Sequence, residues 1–306
     1  MKRIQVGIVG VGKIARDQHV PALAADPSFE IAACVTRHEG IDGVPAFATI
    51  GDMLDAMPAL DAVAICTPPQ THFAMALYAL ERGKHVLLEK PPCETMGQFD
   101  MLVRAAAAAQ RTLFQTWHAR YAAGVAPARR RLAERRVTGG RIVWKEDVRL
   151  WHPGQTWLWQ PGGFGVFDPG INALSILSHI LPMAVLIESA NLYVPANCQA
   201  PIAADLTLVT TDGARIAAEL DFRHAGTQTW NIEIETDHGP LTLSEGGSAL
   251  SPAATQLATI GEYPALYRRF AQLIHEGASD VDGIPFQLVS DAVLVGRRVE
   301  VEPFHP

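Results

Sequence analysis

Four short stretches of this 306-residue chain combine residue types that can do chemistry. Gly10-Val11-Gly12-Lys13-Ile14-Ala15 is a G-x-G-x-x-A run. Its first glycine allows a tight turn, its second lets the main chain approach a pyrophosphate, and its alanine permits close helix–strand packing, with the helix start facing the anion. Thr67-Pro68-Pro69-Gln70-Thr71-His72 and Glu89-Lys90-Pro91-Pro92 set polar groups at the ends of two apolar runs. Proline restricts the residue before it to extended conformations, so Lys90 is well placed to hydrogen-bond a substrate hydroxyl or help remove its proton. The alternative is an exposed lysine paired with Glu89. Asp168-Pro169-Gly170-Ile171-Asn172 puts a carboxylate and an amide one helical turn apart, within reach of one ligand. Asp168 before Pro169 is equally a good helix N-cap.

The second apolar run ends in Val35-Thr36-Arg37-His38. A site selective for NAD usually has Asp or Glu roughly 20 residues after the glycines, on the ribose hydroxyls. Here a hydroxyl, a guanidinium and an imidazole stand instead, all suited to a 2′-phosphate. NADP is therefore the expected cofactor, with NAD possible. Arg37 as a solvated loop charge is the plainer reading.

These segments need a scaffold. Apolar runs at 3–9, 31–35, 62–66, 85–88 and 113–116 alternate with helix-length stretches at 13–25, 49–57, 73–82 and 96–109. Their near-continuous hydrophobicity is that of parallel strands covered on both faces, which predicts a doubly wound sheet. After residue 117 the rhythm changes. A basic helix (126–136), a strand (141–149), a Trp-rich loop and a helix (169–181) precede five strand-like runs at 186–194, 204–211, 215–222, 229–236 and 241–244, then helices at 263–276 and 286–299. Asp212-Gly213 is a hairpin signal, and Asn231-Ile232-Glu233-Ile234-Glu235 alternates as a strand with one wet face does. The expected architecture is α/β: a Rossmann domain over 1–117 and a substrate-binding domain over 118–306.

Composition narrows the partners. Lys plus Arg number 25 against 32 Asp plus Glu, a net charge of −7, which opposes nucleic-acid binding because that affinity comes from cationic side chains. No run approaches the ~20 apolar residues of a membrane span, and no signal-peptide pattern opens the chain. Four scattered cysteines without a Cys-x-x-Cys pair suit a reduced, cytoplasmic protein. None of the 11 histidines forms a His-Glu-x-x-His cluster, so no metal is expected.

Gly10–Ala15, Thr67–His72 and Glu89-Lys90-Pro91, in that order, resemble the Gfo/Idh/MocA oxidoreductase family. Gly162-Gly163-Phe164-Gly165-Val166-Phe167-Asp168-Pro169-Gly170-Ile171-Asn172 resembles that family's second catalytic motif. The likeness runs along essentially the whole chain. Segments 12–19, 144–149, 151–155 and 165–176 are most similar to its bacterial branch that oxidises L-arabinose and D-galactose at C1. The resemblance implies a second domain with a large, mostly antiparallel open sheet, and hydride transfer between a sugar-like carbon and a nicotinamide. It places Gly10, Gly12, Lys13, Ile14, Thr36, Arg37, His38, Thr67, Pro68, Pro69, His72, Glu89 and Lys90 around the cofactor. Where many members have His four residues after the motif Asp, this chain has Asn172. An amide does not titrate, so proton transfer falls to Asp168 or Lys90.

Five of six tryptophans (117, 144, 151, 157, 159) lie in the stretch expected to line the sugar site, where aromatic faces suit pyranose C–H faces. Lys90, His118, Glu146, Trp151, His152, Asp168 and Asn172 are the candidate sugar contacts, and alternation favours Glu146 over Asp147. The expected function is an NADP-dependent aldose 1-dehydrogenase yielding an aldonolactone. The alternatives are an inositol or secondary-alcohol dehydrogenase and a cofactor-binding regulator without turnover. A homodimer is expected only by analogy with other open sheets.

Overall fold

The structure is a computed structural model that describes residues 2–253 and 260–305. In chain order its elements begin β1 (Ile4–Val9), α1 (Val20–Ala25), β2 (Phe29–Val35), β3 (Ala46–Phe47), α2 (Ile50–Ala56), β4 (Ala62–Ile65), α3 (Pro69–Glu81), β5 (His85–Leu88), α4 (Met96–Ala109) and β6 (Leu113–Gln115). They continue with α5 (Val125–Leu132), β7 (Val137–Lys145), α6 (Val148–Trp151), α7 (Phe167–Ile180), β8 (Val185–Pro195), β9 (Ala203–Thr210), β10 (Arg215–Asp221), β11 (Thr229–Thr236), β12 (Leu241–Ser244), β13 (Ala249–Ser251), α8 (Glu262–Glu276), α9 (Ile284–Val295) and β14 (Arg297–Val301).

Two compact units result: Met1–Trp117 with Ile260–Gly283, and His118–Thr259 with Ile284–Pro306. The first is a parallel sheet in the order β3-β2-β1-β4-β5-β6, a doubly wound Rossmann arrangement. Strands β4 and β6 are buried at every position, which is why they carry no alternation. A single cut after residue 117 does not separate the units, because 260–283 returns to the first. The reason lies in α8, whose buried stripe Tyr263, Leu266, Tyr267, Phe270, Leu273 needs a partner surface. It finds Phe29 of β2, with ring centroids 5.4 Å from Tyr267, and Phe114 of β6, 6.1 Å from Phe270.

The second unit is an eight-stranded sheet ordered β13-β12-β11-β7-β10-β9-β8-β14. Its pairings are antiparallel except β7–β10 and β8–β14. Alternation is plain in β10, where Ile216, Ala218 and Leu220 are buried between more exposed neighbours. On the wet face Glu219 of β10 meets both Arg141 and Lys145 of β7, diagonal neighbours across the strand pair. Gly213, at φ +93°, makes the β9–β10 turn expected from Asp212-Gly213.

The helix expected over 286–299 is shorter. It stops at Val295 and gives way to β14, which pairs with β8. Gly296 ends it, and Arg297-Arg298-Val299-Glu300-Val301 has period 2 rather than 3.6. Short β3 and β13 were likewise not apparent from periodicity.

Candidate active site

The glycine motif leaves β1 and enters a helical run. A Cβ on Gly10, at φ +91°, would meet Thr67 Cγ2 at 2.7 Å, whereas one on Gly12 would meet nothing within 4 Å. Gly10 is thus fixed by packing against the loop after β4, and Gly12 faces open space, as a residue over which a pyrophosphate lies must. Ala15 is fully buried. Lys13 pairs with Asp17 one turn on, and Ile14 is exposed. Beyond β2, Thr36 Oγ1 accepts from the His38 main chain at 3.1 Å, so the hydroxyl shapes the turn. Arg37 and His38 are exposed. Arg16 Nη2 donates to Glu39 O at 2.6 Å and fastens the same loop. These features fit a dinucleotide: an open main-chain cradle, and exposed cations past β2.

The helical run does not continue smoothly. Ala15–His19 is a π-helical turn that closes with Val20 N–H on Ala15 O. Pro21 lacks an N–H and crowds the carbonyl four residues back, so the preceding turn opens by one residue. His19, fully buried, is delivered from this turn: Nε2 lies 3.0 Å from Glu89 Oε1 and Nδ1 2.7 Å from Tyr267 Oη. Burial, the largest influence on this ring, opposes its charge. Cys66, Tyr267 and the Glu89 hydrogen bond outweigh that and hold its pKa well above 6.5. Burial and Glu89 push the Tyr263 phenol well above its usual range, so its hydroxyl donates, to Glu89 Oε1 at 3.0 Å.

Two residues expected at the cofactor, Glu89 and His72, have side chains that turn inward. Glu89 is 4% exposed, and its Oε2 accepts from the Lys90 main chain at 2.9 Å. His72 is fully buried, with Nδ1 2.9 Å from Pro91 O and Nε2 2.6 Å from Thr67 O. Full burial lowers its pKa, so the neutral ring has one N–H to donate. The cause is positional: Glu89 directly follows the buried strand β5, and His72 lies on the buried face of α3 in its first turn. Thr67 and Lys90 are partly exposed, Pro68 is exposed and Pro69 is buried at the start of α3.

The second unit gathers another set. Gly163 and Gly165 let the loop before α7 pass against main chain: a Cβ on either would lie 2.3 Å from Trp157 O or 2.2 Å from Pro201 O. Asp168 is the second residue of α7; Val166 occupies the cap position without a side-chain bond, so Asp168 is not the N-cap. It is 4% exposed. His152 Nδ1 stands 3.9 Å from Asp168 Oδ2, and its Nε2 stands 3.2 Å from Glu146 Oε1. Glu146 Oε2 accepts from Trp230 Nε1 at 2.9 Å. Asn172 lies one turn along α7, and its buried Oδ1 has no hydrogen-bond partner among the described residues, so it has capacity to accept one. His118 is half-buried on the turn His118–Tyr121, which Arg120 ties to α7 through Ser175 O at 3.0 Å.

The tryptophans divide by role. Trp151 remains partly exposed at 36% and leans on Trp230 with centroids 5.2 Å apart. Trp144, the cross-strand partner of Trp230 on β7, stacks on it with centroids 5.9 Å apart. Trp117 donates to Asp282 O within the first unit, and Trp159 packs on Phe222 and Phe304; these fill core. Trp230 was the tryptophan left out of the sequence reading. Its signal was the alternation of β11, which puts it on the face of Ile232 and Ile234.

Among the described residues, no helix is long and apolar enough to cross a membrane, and no group of three or more His, Cys, Asp or Glu side chains is placed to hold a metal.

A parallel sheet ordered 3-2-1-4-5-6 with this glycine turn, joined in one chain to an open mixed sheet, defines a class. The chain belongs to the Gfo/Idh/MocA oxidoreductases and is an NAD(P)-dependent dehydrogenase; residues 4–116 match the model of an oxidoreductase family with an NAD-binding Rossmann fold. It is 47% identical, over the full length of both chains, to galactose 1-dehydrogenase of Pseudomonas fluorescens. The crystal structure of a D-galactose-1-dehydrogenase from Rhizobium etli superposes with a TM-score of 0.94 at 48% identity, covering 100% of this chain and 99% of that one. A 3-ketoreductase from Actinomadura kijaniata, solved with NADP, shares the fold at a TM-score of 0.84 and 20% identity, covering 98% of this chain and 100% of that one.

Proposed function

We propose that this protein is an aldose 1-dehydrogenase that oxidises the anomeric carbon of L-arabinose- and D-galactose-type pyranoses to the aldonolactone, with NADP preferred over NAD. The observation that carries the reading is the buried Glu146–His152–Asp168 set, with Asn172 one turn on. Full-length likeness to a galactose 1-dehydrogenase supports it.

Gly10 and Gly12 hold the pyrophosphate, and Arg37 with His38 meets the 2′-phosphate. A bound nicotinamide would supply the hydride acceptor for C1. The proton of the C1 hydroxyl passes to the Asp168 carboxylate, or to Lys90 in its neutral amine form, as the C1–H pair leaves as hydride and the C1–O bond becomes the lactone carbonyl. Asp168, nearly buried in the first turn of α7, offers carboxylate oxygens as the acceptor. Glu146, both of whose oxygens are engaged, orients His152, as a carboxylate orients the imidazole of a catalytic triad. Asn172 and His152 read ring hydroxyls, and Trp151 covers a C–H face.

Such a site discriminates strongly against an epimer whose misplaced hydroxyl leaves buried groups unpaired. It separates weakly two sugars that differ only by a hydroxymethyl group. A panel of D-galactose, L-arabinose, D-fucose, D-glucose and myo-inositol, followed by lactone detection, tests the reading. Turnover of the first three with lactone as product is expected; activity confined to inositol or linear alcohols overturns it.

A further inference from the structure

The loops that follow β4 and β5 are cross-tied beneath the surface by two histidines. His72 lies between Thr67 O and Pro91 O, its ring nitrogens 2.6 and 2.9 Å from them, and donates its one N–H to one of the two. His19 contacts Glu89 at 3.0 Å and interacts with Cys66, the residue just before Thr67. Glu89 is the centre of the second tie. One oxygen accepts from His19 and Tyr263, and the other accepts from the Lys90 main-chain N–H at 2.9 Å. Tyr263 and Tyr267 come from α8, Tyr263 lying 174 residues further along the chain than Glu89. A carboxylate that is nearly fully buried beside a charged imidazole costs several kcal/mol in desolvation unless well partnered. Apolar residues of similar volume would stabilise the fold as well, so stability alone gives no reason for ionic groups here.

We propose that Glu89, held by His19 and Tyr263, is a positioning residue that fixes the Lys90 backbone for proton handling at the substrate. The proposal rests on the reading of Lys90 as a reacting group. Glu89 accepts from the peptide N–H of Lys90 itself, so the brace sets where the lysine stem starts. His72 packs, fully buried, between the two loops. A displacement of about 1 Å at a reacting group costs on the order of 10²-fold in rate, so loosening either tie should lower kcat more than it alters cofactor binding.

The test compares Tyr263→Phe with wild type, using D-galactose and whichever of NADP and NAD gives turnover. Losing the hydroxyl bond to a buried carboxylate should lower kcat about tenfold, with the cofactor dissociation constant unchanged within twofold and the thermal midpoint above assay temperature. His19→Gln, which keeps an N–H for Glu89, should retain several times the kcat of His19→Leu. A folded Tyr263→Phe with wild-type kcat, or equal kcat in the two His19 variants, overturns the brace. Should the variants not fold, amide exchange in the wild-type chain decides: a Lys90 N–H that exchanges as freely as an exposed amide overturns it, and strong protection supports it. Lys90→Ala separates the two claims. Wild-type turnover there defeats the reading of Lys90 and the brace together, whereas lost turnover beside an unaffected Tyr263→Phe defeats the brace alone.

Discussion

His152 Nε2 lies 3.2 Å from Glu146 Oε1, and the other Glu146 oxygen is held by the Trp230 indole at 2.9 Å. The carboxylate therefore has one orientation, and it fixes the imidazole in turn. Glu146→Gln replaces a charge-assisted bond with a neutral one, worth roughly 1.5–3 kcal/mol. Steady-state kinetics should show kcat/KM for the sugar falling about ten- to a hundredfold by that free energy, with the cofactor KM unchanged.

Asp168 and Asn172 lie one turn apart on α7, and the proposed function gives them different tasks, proton acceptor and sugar contact. Asp168→Asn removes a proton acceptor, and turnover should drop on the order of 10²–10⁴-fold. Asn172→Ala removes only a hydrogen-bond partner of the sugar, so its main effect should be a rise in the sugar KM of about three- to tenfold. Comparable losses of kcat in both variants would contradict this division.

Cofactor choice is expected to rest on Arg37. Arg37→Asp takes away a cation suited to a 2′-phosphate and supplies an acceptor for ribose hydroxyls. The ratio of kcat/KM for NADP to that for NAD should fall at least tenfold, about 1.4 kcal/mol. An unchanged ratio means that Arg37 is a solvated charge.

Acid stability should be governed in part by His85. Burial, aided by the Arg111 guanidinium, holds its pKa down at about 4, and its Nδ1 accepts from Thr112 N–H at 3.0 Å. Between pH 6.5 and about 4 the unfolded chain binds a proton at this site that the folded chain refuses, so stability falls as pH falls through that window. His72, also lowered, acts in the same direction. His19 acts oppositely: its raised pKa contributes stability fully present below 6.5 and lost as pH rises through its native value. Thermal midpoints from pH 4 to 9, with an imidazole NMR titration assigning His85, check these signs.

Phe270, fully buried on α8 between Phe29 and Phe114, anchors the returning segment to the first unit. Phe270→Ala should cost about 3–5 kcal/mol in denaturant unfolding, a loss large enough to expose α8 to proteolysis.

Much of the scaffold was legible because the local pattern determined it. Residues 85–88 and 96–109 read as strand and helix at their observed limits, since continuous apolarity and a Thr95 cap are local signals. The partner of α8 was not legible: its stripe announces a buried face but not which sheet covers it. The inward turn of His19 also escaped notice, because it depends on a one-residue opening forced by Pro21. Motif logic points to the Glu89-Lys90 and Asp168–Asn172 segments, but it does not show that the Glu89 and His72 side chains turn inward onto main-chain and buried partners. Trp230 shows the same limit, since its link to Glu146 crosses 84 residues of chain.

The central claim is that hydride leaves C1. D-Galactose deuterated only at C1, turned over with NADP or NAD, should place the deuterium on the reduced nicotinamide and give an unlabelled lactone, with turnover slowed if hydride transfer limits the rate. Deuterium retained in the sugar product would mean that another carbon is oxidised, and would contradict the account.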